Sequence, residues 1–454
     1  MILLKNCFYI ATFNDKNEEL KDYDILIKEN VIAKIARGIQ LSEAENRETE
    51  IIDCSRYLVM PGMINTHHHL YQTMTRNLPG AQNAKLFDWL TYLYPRWAKL
   101  LTEEGIYYST LLGTAELLKT GATTTSDHLY LYPRGFSGDI MGIQFEAAAK
   151  IGIRFAPSRG SMTLGKSAGG LPPDDCVQTS AEVLADSQRV IERYHDPSPF
   201  SMQRVILAPC SPFSVDETVM RESAKLAREY KVKLHTHLAE TSDEEQYCFD
   251  KYGKKPLALM ADWDWLGDDV FFAHGVWFDD AELKLLKETG TGIAHCPTSN
   301  MRLGSGIARV KEMLEIGVRA GIAVDGSASN DSSDMLAEAR NAMLLQRVRY
   351  GADAIGAREV LRLATRGGAD LLGFSEIGQI AEGKAADLAL FDMFTSQYAG
   401  ALSDPLAAVV FAGYNHETVY TIVDGKIVVR NGKLTTFEED KIVSKIHEIA
   451  LTKI

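Results

Sequence analysis

The sequence lacks the features that would place it in a membrane or in an oxidising compartment. Its six cysteines stand far apart without a CxxC pair, so reduced thiols are expected rather than a disulfide framework. No apolar run reaches the ~18 residues that a membrane-spanning helix needs. The opening segment MILLKNCFYIATFNDKNEEL has no signal-peptide pattern. We therefore expect a cytoplasmic protein without a membrane partner.

An excess of positive charge is also missing. Lys and Arg total 48 against 61 Asp and Glu, which gives a formal net charge of −13. Because nucleic-acid binding depends on Lys and Arg contacts with phosphates, this balance argues against a nucleic-acid partner. Hydrophobic residues at 46% and charged residues at 24% are typical of a globular chain with a large core. A small-molecule partner is expected.

Short alternating stretches near both ends predict strands of one small β domain. YDILIKENVIAKIA lies in residues 1–60, and KAADLALFD and VYTIVDGKIVV lie in residues 375–440. Asp424-Gly425 is a hairpin signal within the second group. We predict a β-sandwich domain built from 1–60 and 375–440, followed by a C-terminal helix over 441–454.

The middle of the chain, residues 61–374, alternates apolar strand-like runs with amphipathic helical segments. Eight such alternations predict an α/β fold, a (β/α)8 TIM-like barrel with its active site at the C-terminal ends of the strands. A doubly wound open sheet is the competing architecture, but no glycine-rich dinucleotide turn follows the first strand. The Gly/Pro-rich segment 165–175 predicts a long loop and a candidate lid.

Three adjacent histidines end the first predicted barrel strand, in PGMINTHHHL. Because side chains alternate faces along a strand, His67 and His69 are expected to point into the barrel mouth and His68 away from it. Such an HxH pair can supply two imidazole nitrogens to one metal ion. Histidines hydrogen-bonded within a packed core are the alternative.

Further polar residues end the later strands. They are His235, His237 and Glu240 in LHTHLAE, His274 in FFAHG, His295 in IAHCPTSN and Asp325 in IAVDGSASN. Each alone is explained by core packing, but their joint placement at one face of a barrel predicts a metal site. Imidazoles with a carboxylate suit Zn²⁺ or Fe²⁺, and such an ion lowers the pKa of water to about 7. Glu240 suits a proton shuttle, and His274 can stabilise developing charge.

PGMINTHHHL, HTHLAE, AHG and VDGSASNDSSDM resemble the amidohydrolase superfamily, in particular its purine- and triazine-deaminating branch, over nearly the whole chain. The resemblance implies one divalent metal ion, because no candidate for a bridging carboxylated lysine stands in LAPCSPF. It implies that Glu240 is the acid/base shuttle, that His274 lies near metal and substrate, and that Asp325 accepts a proton from water. The implied metal ligands are His67, His69, His237 and Asp325.

Residues in the loops resemble substrate contacts of this branch. Gln72 and Trp89 stand where guanine deaminases have a glutamine and a tryptophan that hold a purine, although core packing is the alternative for Trp89. Cys210 stands where those enzymes have an arginine, which indicates a different substrate.

The segments SRGSMTLGKSAGGLPPDD and HLYQTMTRNLPGAQNAKLFDWL instead resemble the 8-oxoguanine deaminase group. Arg159, Ser161 and His295 are further candidate substrate contacts, with a structural salt bridge as the alternative for Arg159.

The expected reaction is hydrolytic deamination of an oxidised purine base, 8-oxoguanine to urate and ammonia. Ethylaminohydrolysis of hydroxyatrazine, or deamination of guanine or isoxanthopterin, is the alternative within enzymes. A non-catalytic barrel homologue with an assembly role is the alternative of another class, and the presence of every implied ligand argues against it. The resemblance also implies a homo-oligomer.

Overall fold

A computed structural model describes residues 1–453. Its largest sheet has eight parallel strands, each paired with its neighbour in chain order. The Thr66 N–H donates to Ile322 O at 3.3 Å and the Asp325 N–H to His67 O at 3.1 Å, so the last strand returns to the first. The predicted barrel is therefore confirmed. Its strands are Met63–Asn65, Ala122–Leu129, Arg154–Ser161, Ile206–Pro209, Lys233–Leu238, Val270–His274, Gly292–His295 and Ala320–Ile322.

Helices follow each barrel strand, as a (β/α)8 fold requires. One of them, Asp280–Thr289, begins at a capping box of Asp279 and Glu282 and ends at Gly290, whose φ of 75° is left-handed. The α-helices between the first and last barrel strands, and directly after the last, are Leu86–Leu100, Glu103–Lys119, Ile140–Ile151, Ser180–Tyr194, Glu217–Tyr230, Ser242–Tyr252, Pro256–Asp262, Asp280–Thr289, Pro297–Arg302, Val310–Ile316, Met335–Tyr350, Ala357–Arg362 and Gly368–Leu372.

Shorter helical turns and peripheral helices complete the chain. Leu70–Thr75, Pro79–Ala81 and Lys166–Ala168 are 3₁₀ turns, and Leu363–Gly367 is a π-helical turn. The C-terminal helix spans Glu439–Lys453, and Ile454, which the sequence also assigned to it, lies outside the described residues. The remaining α-helices are Glu43–Glu48 and Pro405–Phe411.

Strands from both ends of the chain form a second domain with two mixed sheets. The predicted hairpin turn Asp424-Gly425, with φ of 50° and 71°, joins two of its strands. The four-stranded sheet has the order Val31–Ala36, Tyr23–Lys28, Ile2–Cys7 and Glu50–Asp53. The seven-stranded sheet has the order Lys433–Leu434, Lys426–Arg430, Tyr420–Val423, Leu388–Asp392, Tyr57–Pro61, Tyr9–Ala11 and Glu19–Leu20.

A buried ion pair joins the two domains. Arg154, at the start of the third barrel strand, donates from Nε to Asp387 Oδ2 at 2.9 Å and from a second nitrogen to Oδ1 at 3.1 Å. The same carboxylate accepts the backbone N–H of Asp424 at 2.8 Å. The small domain is therefore held against the barrel end opposite the strand C-termini. Within residues 1–453 no helix combines the length and apolar character that crossing a bilayer requires.

Candidate active site

The polar strand-end residues meet at one end of the barrel interior. His235 and His237 share the inner face of the fifth strand, as period-two alternation requires. His68 points away from them and lies 3.0 Å from Ser333 Oγ. His274 and Asp325 have left-handed φ values of 73° and 62°, which a side chain adopts only at some cost. The turn that each residue makes brings its side chain into the barrel mouth.

Three histidine nitrogens and a carboxylate oxygen lie within 3.1 to 3.4 Å of a neighbour in this set. His69 Nε2 lies 3.1 Å from His237 Nε2. Asp325 Oδ1 lies 3.4 Å from His67 Nε2 and 3.3 Å from His69 Nε2. Four ligands at the usual Zn–N distance of about 2.0–2.1 Å in a tetrahedron stand about 3.3 Å apart. The separations therefore fit a small divalent cation at their centre.

The hydrogen bonds of the Nδ1 atoms determine that the Nε2 atoms of His69 and His237 face the centre of the ligand set. His69 Nδ1 donates to the carbonyl of His128 at 2.6 Å, and His237 Nδ1 donates to the carbonyl of Cys210 at 2.7 Å. Because a carbonyl only accepts, each Nδ1 carries the hydrogen and each Nε2 presents a lone pair. Burial lowers the pKa of both rings, which keeps them neutral. Two lone pairs 3.1 Å apart repel unless a cation lies between them.

The third ligand histidine is held by another histidine. His67 Nδ1 lies 2.7 Å from His235 Nε2, and His235 Nδ1 lies 2.9 Å from the carbonyl of Phe271. His67 Nε2 is buried and has no hydrogen-bond partner among residues 1–453. Burial would raise the pKa of Asp325, but the proximity of His67 and of the neighbouring histidines holds it well below its usual range. The donor set is thus three neutral imidazoles and an ionised carboxylate, which suits zinc or iron.

Glu240 and His274 lie beside this ligand set. Glu240 Oε2 is 3.5 Å from His274 Nε2, and His274 Nδ1 is 2.9 Å from Asn300 Oδ1. Burial raises the pKa of Glu240 to about 7, so its carboxyl group can both donate and accept a proton near neutral pH. Burial would lower the pKa of His274, but Glu240 and Asp325 outweigh it and raise the value.

A second buried glutamate, Glu244, holds the backbone that carries Glu240. Its carboxylate accepts the N–H of Ala239 at 2.9 Å and of Glu240 at 3.1 Å. Ala239 has a left-handed φ of 53°, so the chain turns sharply at this point. Glu244 therefore positions Glu240 without belonging to the ligand set.

A cavity opens onto these groups, and three of the proposed substrate contacts line it. Both amide atoms of Gln72 and Nε1 of Trp89 are buried without a hydrogen-bond partner among residues 1–453. A Cβ at Gly326 would lie 2.0 Å from Gln72 Oε1, so only glycine permits this position of the amide. The lining residues are His69, Gln72, Leu86, Trp89, Leu90, Tyr94, Tyr130, Cys210, Phe213, His237, Glu240, His274, Leu303, Asp325 and Ser329.

Three proposed substrate contacts lie elsewhere, and strand alternation explains why. Arg159 and Ser161 share a face of the third strand opposite Ala156, which packs with the inner apolar residues. Arg159 donates from Nε to Asp186 Oδ2 at 2.8 Å, outside the barrel, so the salt-bridge alternative is the one observed. His295 likewise has the opposite parity to the inner residue Ala294. The assignment of these three to the cavity is corrected.

The structure places further residues at the site that the sequence patterns did not indicate. His128 ends the second strand, its Nε2 donates to Ala208 O at 2.8 Å, and its ring stacks on His237 at 4.9 Å. The other histidines were predicted from their position at the end of a barrel strand, and His128 has the same position. Tyr94 and Phe213 lie on a helix and in a loop, where no spacing rule applies. The loop 165–175 contributes none of the described lining residues, and its role as a lid stays a prediction.

Comparisons with known proteins agree with this geometry. The model of the amidohydrolase family matches residues 58–428. 8-Oxoguanine deaminase from Pseudomonas aeruginosa is 46% identical over 381 residues, 83% of this chain and 84% of that protein. Hydroxydechloroatrazine ethylaminohydrolase from Pseudomonas sp. strain ADP is 37% identical, covering 92% and 89%. The structure of atrazine chlorohydrolase TrzN from Arthrobacter aurescens TC1 complexed with zinc matches with a TM-score of 0.94 at 30% identity, over 99% of this chain and 100% of that one.

Proposed function

The chain belongs to the amidohydrolase family and is a hydrolase that acts on carbon–nitrogen bonds, and from this premise we propose that it deaminates 8-oxoguanine to urate and ammonia. The observation that carries the proposal is the cavity in which Glu240 lies beside the ligand set. There Gln72 and Trp89 present polar atoms that have no hydrogen-bond partner within the described part of the chain. The similarity to 8-oxoguanine deaminase supports the choice of base.

We propose that Zn²⁺ is held by Nε2 of His67, His69 and His237 and by the carboxylate of Asp325. The separations between Nε2 of His69 and of His237, at 3.1 Å, and from Asp325 Oδ1 to Nε2 of His67 and of His69, at 3.4 and 3.3 Å, support it. When bound, the ion lowers the pKa of a water molecule so that hydroxide is available near neutral pH. Assembly into a homo-oligomer stays a prediction.

The side chains in and beside the ligand set transfer the protons that the reaction requires. Asp325, which is ionised, accepts a proton from the attacking water. Glu240 donates a proton to the ring nitrogen next to the amine-bearing carbon. It then takes the proton held by Asp325, passes it to the departing ammonia, and regains its own proton from the hydroxyl group of the collapsing adduct. His274 is oriented by Asn300, so its Nε2 faces Glu240 and can stabilise the charge that develops on the substrate. The apolar walls of the cavity exclude bulk water and strengthen these interactions.

A second candidate is ethylamine removal from a hydroxylated s-triazine. The similarity to hydroxydechloroatrazine ethylaminohydrolase favours it, and so does the apolar wall formed by Leu86, Leu90 and Phe213, which would accept an alkyl group.

Release of ammonia or ethylamine from 8-oxoguanine, guanine, isoxanthopterin and hydroxyatrazine tests the proposal. We expect 8-oxoguanine to give the highest kcat/KM, and Glu240→Gln to lower kcat about 10²- to 10⁴-fold while the zinc content stays at one per chain. Glu245→Gln, a neighbouring glutamate outside the cavity lining, is the matched control. A higher kcat/KM for hydroxyatrazine would establish the second candidate instead.

A further inference from the structure

Tyr94 places in the cavity a hydroxyl group that none of the residues described by the structure satisfies. The residue lies in the helix Leu86–Leu100, is fully buried and lines the cavity. Its Oη has no hydrogen-bond partner among residues 1–453. A buried hydroxyl without a partner is unfavourable, so its position indicates that a ligand supplies the missing partner.

The ring of Tyr94 is held in place by aromatic packing. Trp97 contacts Tyr94 edge-on with centroids 5.9 Å apart, and it contacts Trp89 in the same way at 5.3 Å. The indole of Trp97 is itself anchored, because its Nε1 donates to Thr75 Oγ1 at 2.9 Å. Trp97 is fully buried. The hydroxyl of Tyr94 and the N–H of Trp89 are therefore presented to the cavity by one rigid cluster.

The unsatisfied groups of the cavity contain more donors than acceptors. Trp89 can only donate, the amide nitrogen of Gln72 only donates, and its amide oxygen only accepts. The hydroxyl of Tyr94 can do either. A base with two ring carbonyls can accept from both Trp89 and Tyr94 at carbonyl oxygens. A base with one carbonyl offers the second donor only a ring nitrogen, which does not project from the ring as a carbonyl oxygen does.

We propose that Tyr94 is a specificity-determining residue whose hydroxyl donates to a ring carbonyl of the substrate, so that the cavity prefers bases with two ring carbonyls over those with one. The proposal rests on the proposed deaminase function and deepens it. It predicts a preference for 8-oxoguanine over guanine, and for isoxanthopterin over pterin, because each pair differs by one ring carbonyl.

The test measures kcat/KM for both pairs with the wild-type enzyme, Tyr94→Phe and Tyr71→Phe. Tyr71 is the matched control, since it is also buried against Trp97, with centroids 5.4 Å apart, but lies outside the cavity lining. For each pair, the ratio of kcat/KM for the two-carbonyl base to kcat/KM for the one-carbonyl base measures the preference. We expect Tyr94→Phe to reduce this ratio about 10- to 100-fold, chiefly by raising KM for the two-carbonyl base, and Tyr71→Phe to leave it unchanged. Zinc content and Tm of each variant are recorded.

Inhibition constants of urate and xanthine, which also differ by one ring carbonyl, give a second measurement that does not depend on turnover. If Tyr94→Phe changes neither the ratio of kcat/KM values nor the ratio of the two inhibition constants, the assignment is overturned. If the wild-type enzyme turns over isoxanthopterin but not 8-oxoguanine, the proposed substrate is disproved. The role of Tyr94 is then still decided by the comparison of isoxanthopterin with pterin. A variant with altered Tm but an unchanged ratio assigns Tyr94 to packing.

Discussion

His67 donates its Nδ1 hydrogen to Nε2 of His235 across 2.7 Å, deep in the barrel. The direction follows from the carbonyl of Phe271, 2.9 Å from His235 Nδ1, which obliges His235 to accept at its other nitrogen. His235 thereby leaves the Nε2 lone pair of His67 free for the metal. We expect His235→Phe to weaken zinc binding about 10- to 100-fold, since partners of metal ligands typically have this effect. Competition with a chromophoric chelator measures it.

His295→Phe is the control for that substitution. It removes another fully buried histidine, but one that faces away from the ligand set. Its zinc affinity should equal that of the wild type. Equal zinc affinity in the His235 variant as well would show that the hydrogen bond does not orient His67.

Glu244 should matter for turnover although it does not face the cavity. Glu244→Ala removes the acceptor for the N–H groups of Ala239 and Glu240 and releases the sharp turn between them. We expect kcat to fall about 10- to 100-fold, because small displacements of a catalytic group have effects of that size. Steady-state kinetics with zinc analysis checks it. Glu245→Ala should behave as wild type, and a fall in zinc content that accounts for the loss would count against positioning.

Arg159 is expected to contribute to stability rather than to substrate binding. Arg159→Leu removes the hydrogen bonds to Asp186 and to Gln178, the latter at 2.8 Å, and leaves KM unchanged. The free energy of unfolding should fall by about 2 kcal/mol, as for other hydrogen bonds to charged groups. Denaturant unfolding measures it, with Arg193→Leu, an exposed arginine, as the control. A raised KM at unchanged stability would restore Arg159 as a substrate contact.

Glu338 should make stability depend on pH. It is fully buried, accepts from Asn330 Nδ2 at 2.8 Å and from the Thr298 N–H at 3.1 Å, and burial raises its pKa from 4.5 to about 8. Between those values the unfolded chain has lost the proton and the folded chain retains it, so its contribution to stability declines by about 1.4 kcal/mol per pH unit as pH rises.

Glu338→Gln removes this titration. Denaturant unfolding of the zinc-loaded proteins from pH 5 to 8 should show the variant gaining stability relative to the wild type as pH rises. The exposed residue Glu222 offers a control, since Glu222→Gln should follow the wild-type curve. Parallel curves for Glu338→Gln and wild type would disprove the assignment.

The barrel could be predicted because its signal is local and repeated. Each strand is a short apolar run bounded by turn residues, and eight of them in alternation with helices leave few architectures. The same alternation put His67 and His69 on one face. The prediction was wrong for Arg159, Ser161 and His295. A position near the end of a strand predicts that a residue lies near the barrel mouth, but a shift of one residue along the strand moves its side chain to the opposite face.

The sequence by itself determined the barrel, the two-ended β domain and the set of ligand-type residues at the strand ends. The individual strands and helices in them follow from periodicity in windows of about 11–18 residues. Only the tertiary structure decided that His235 orients His67, that Glu244 holds Glu240, and that Tyr94 reaches the cavity from a helix. Each of these depends on a contact between segments whose relative placement is set by packing of the whole barrel, and local periodicity carries no information about such contacts.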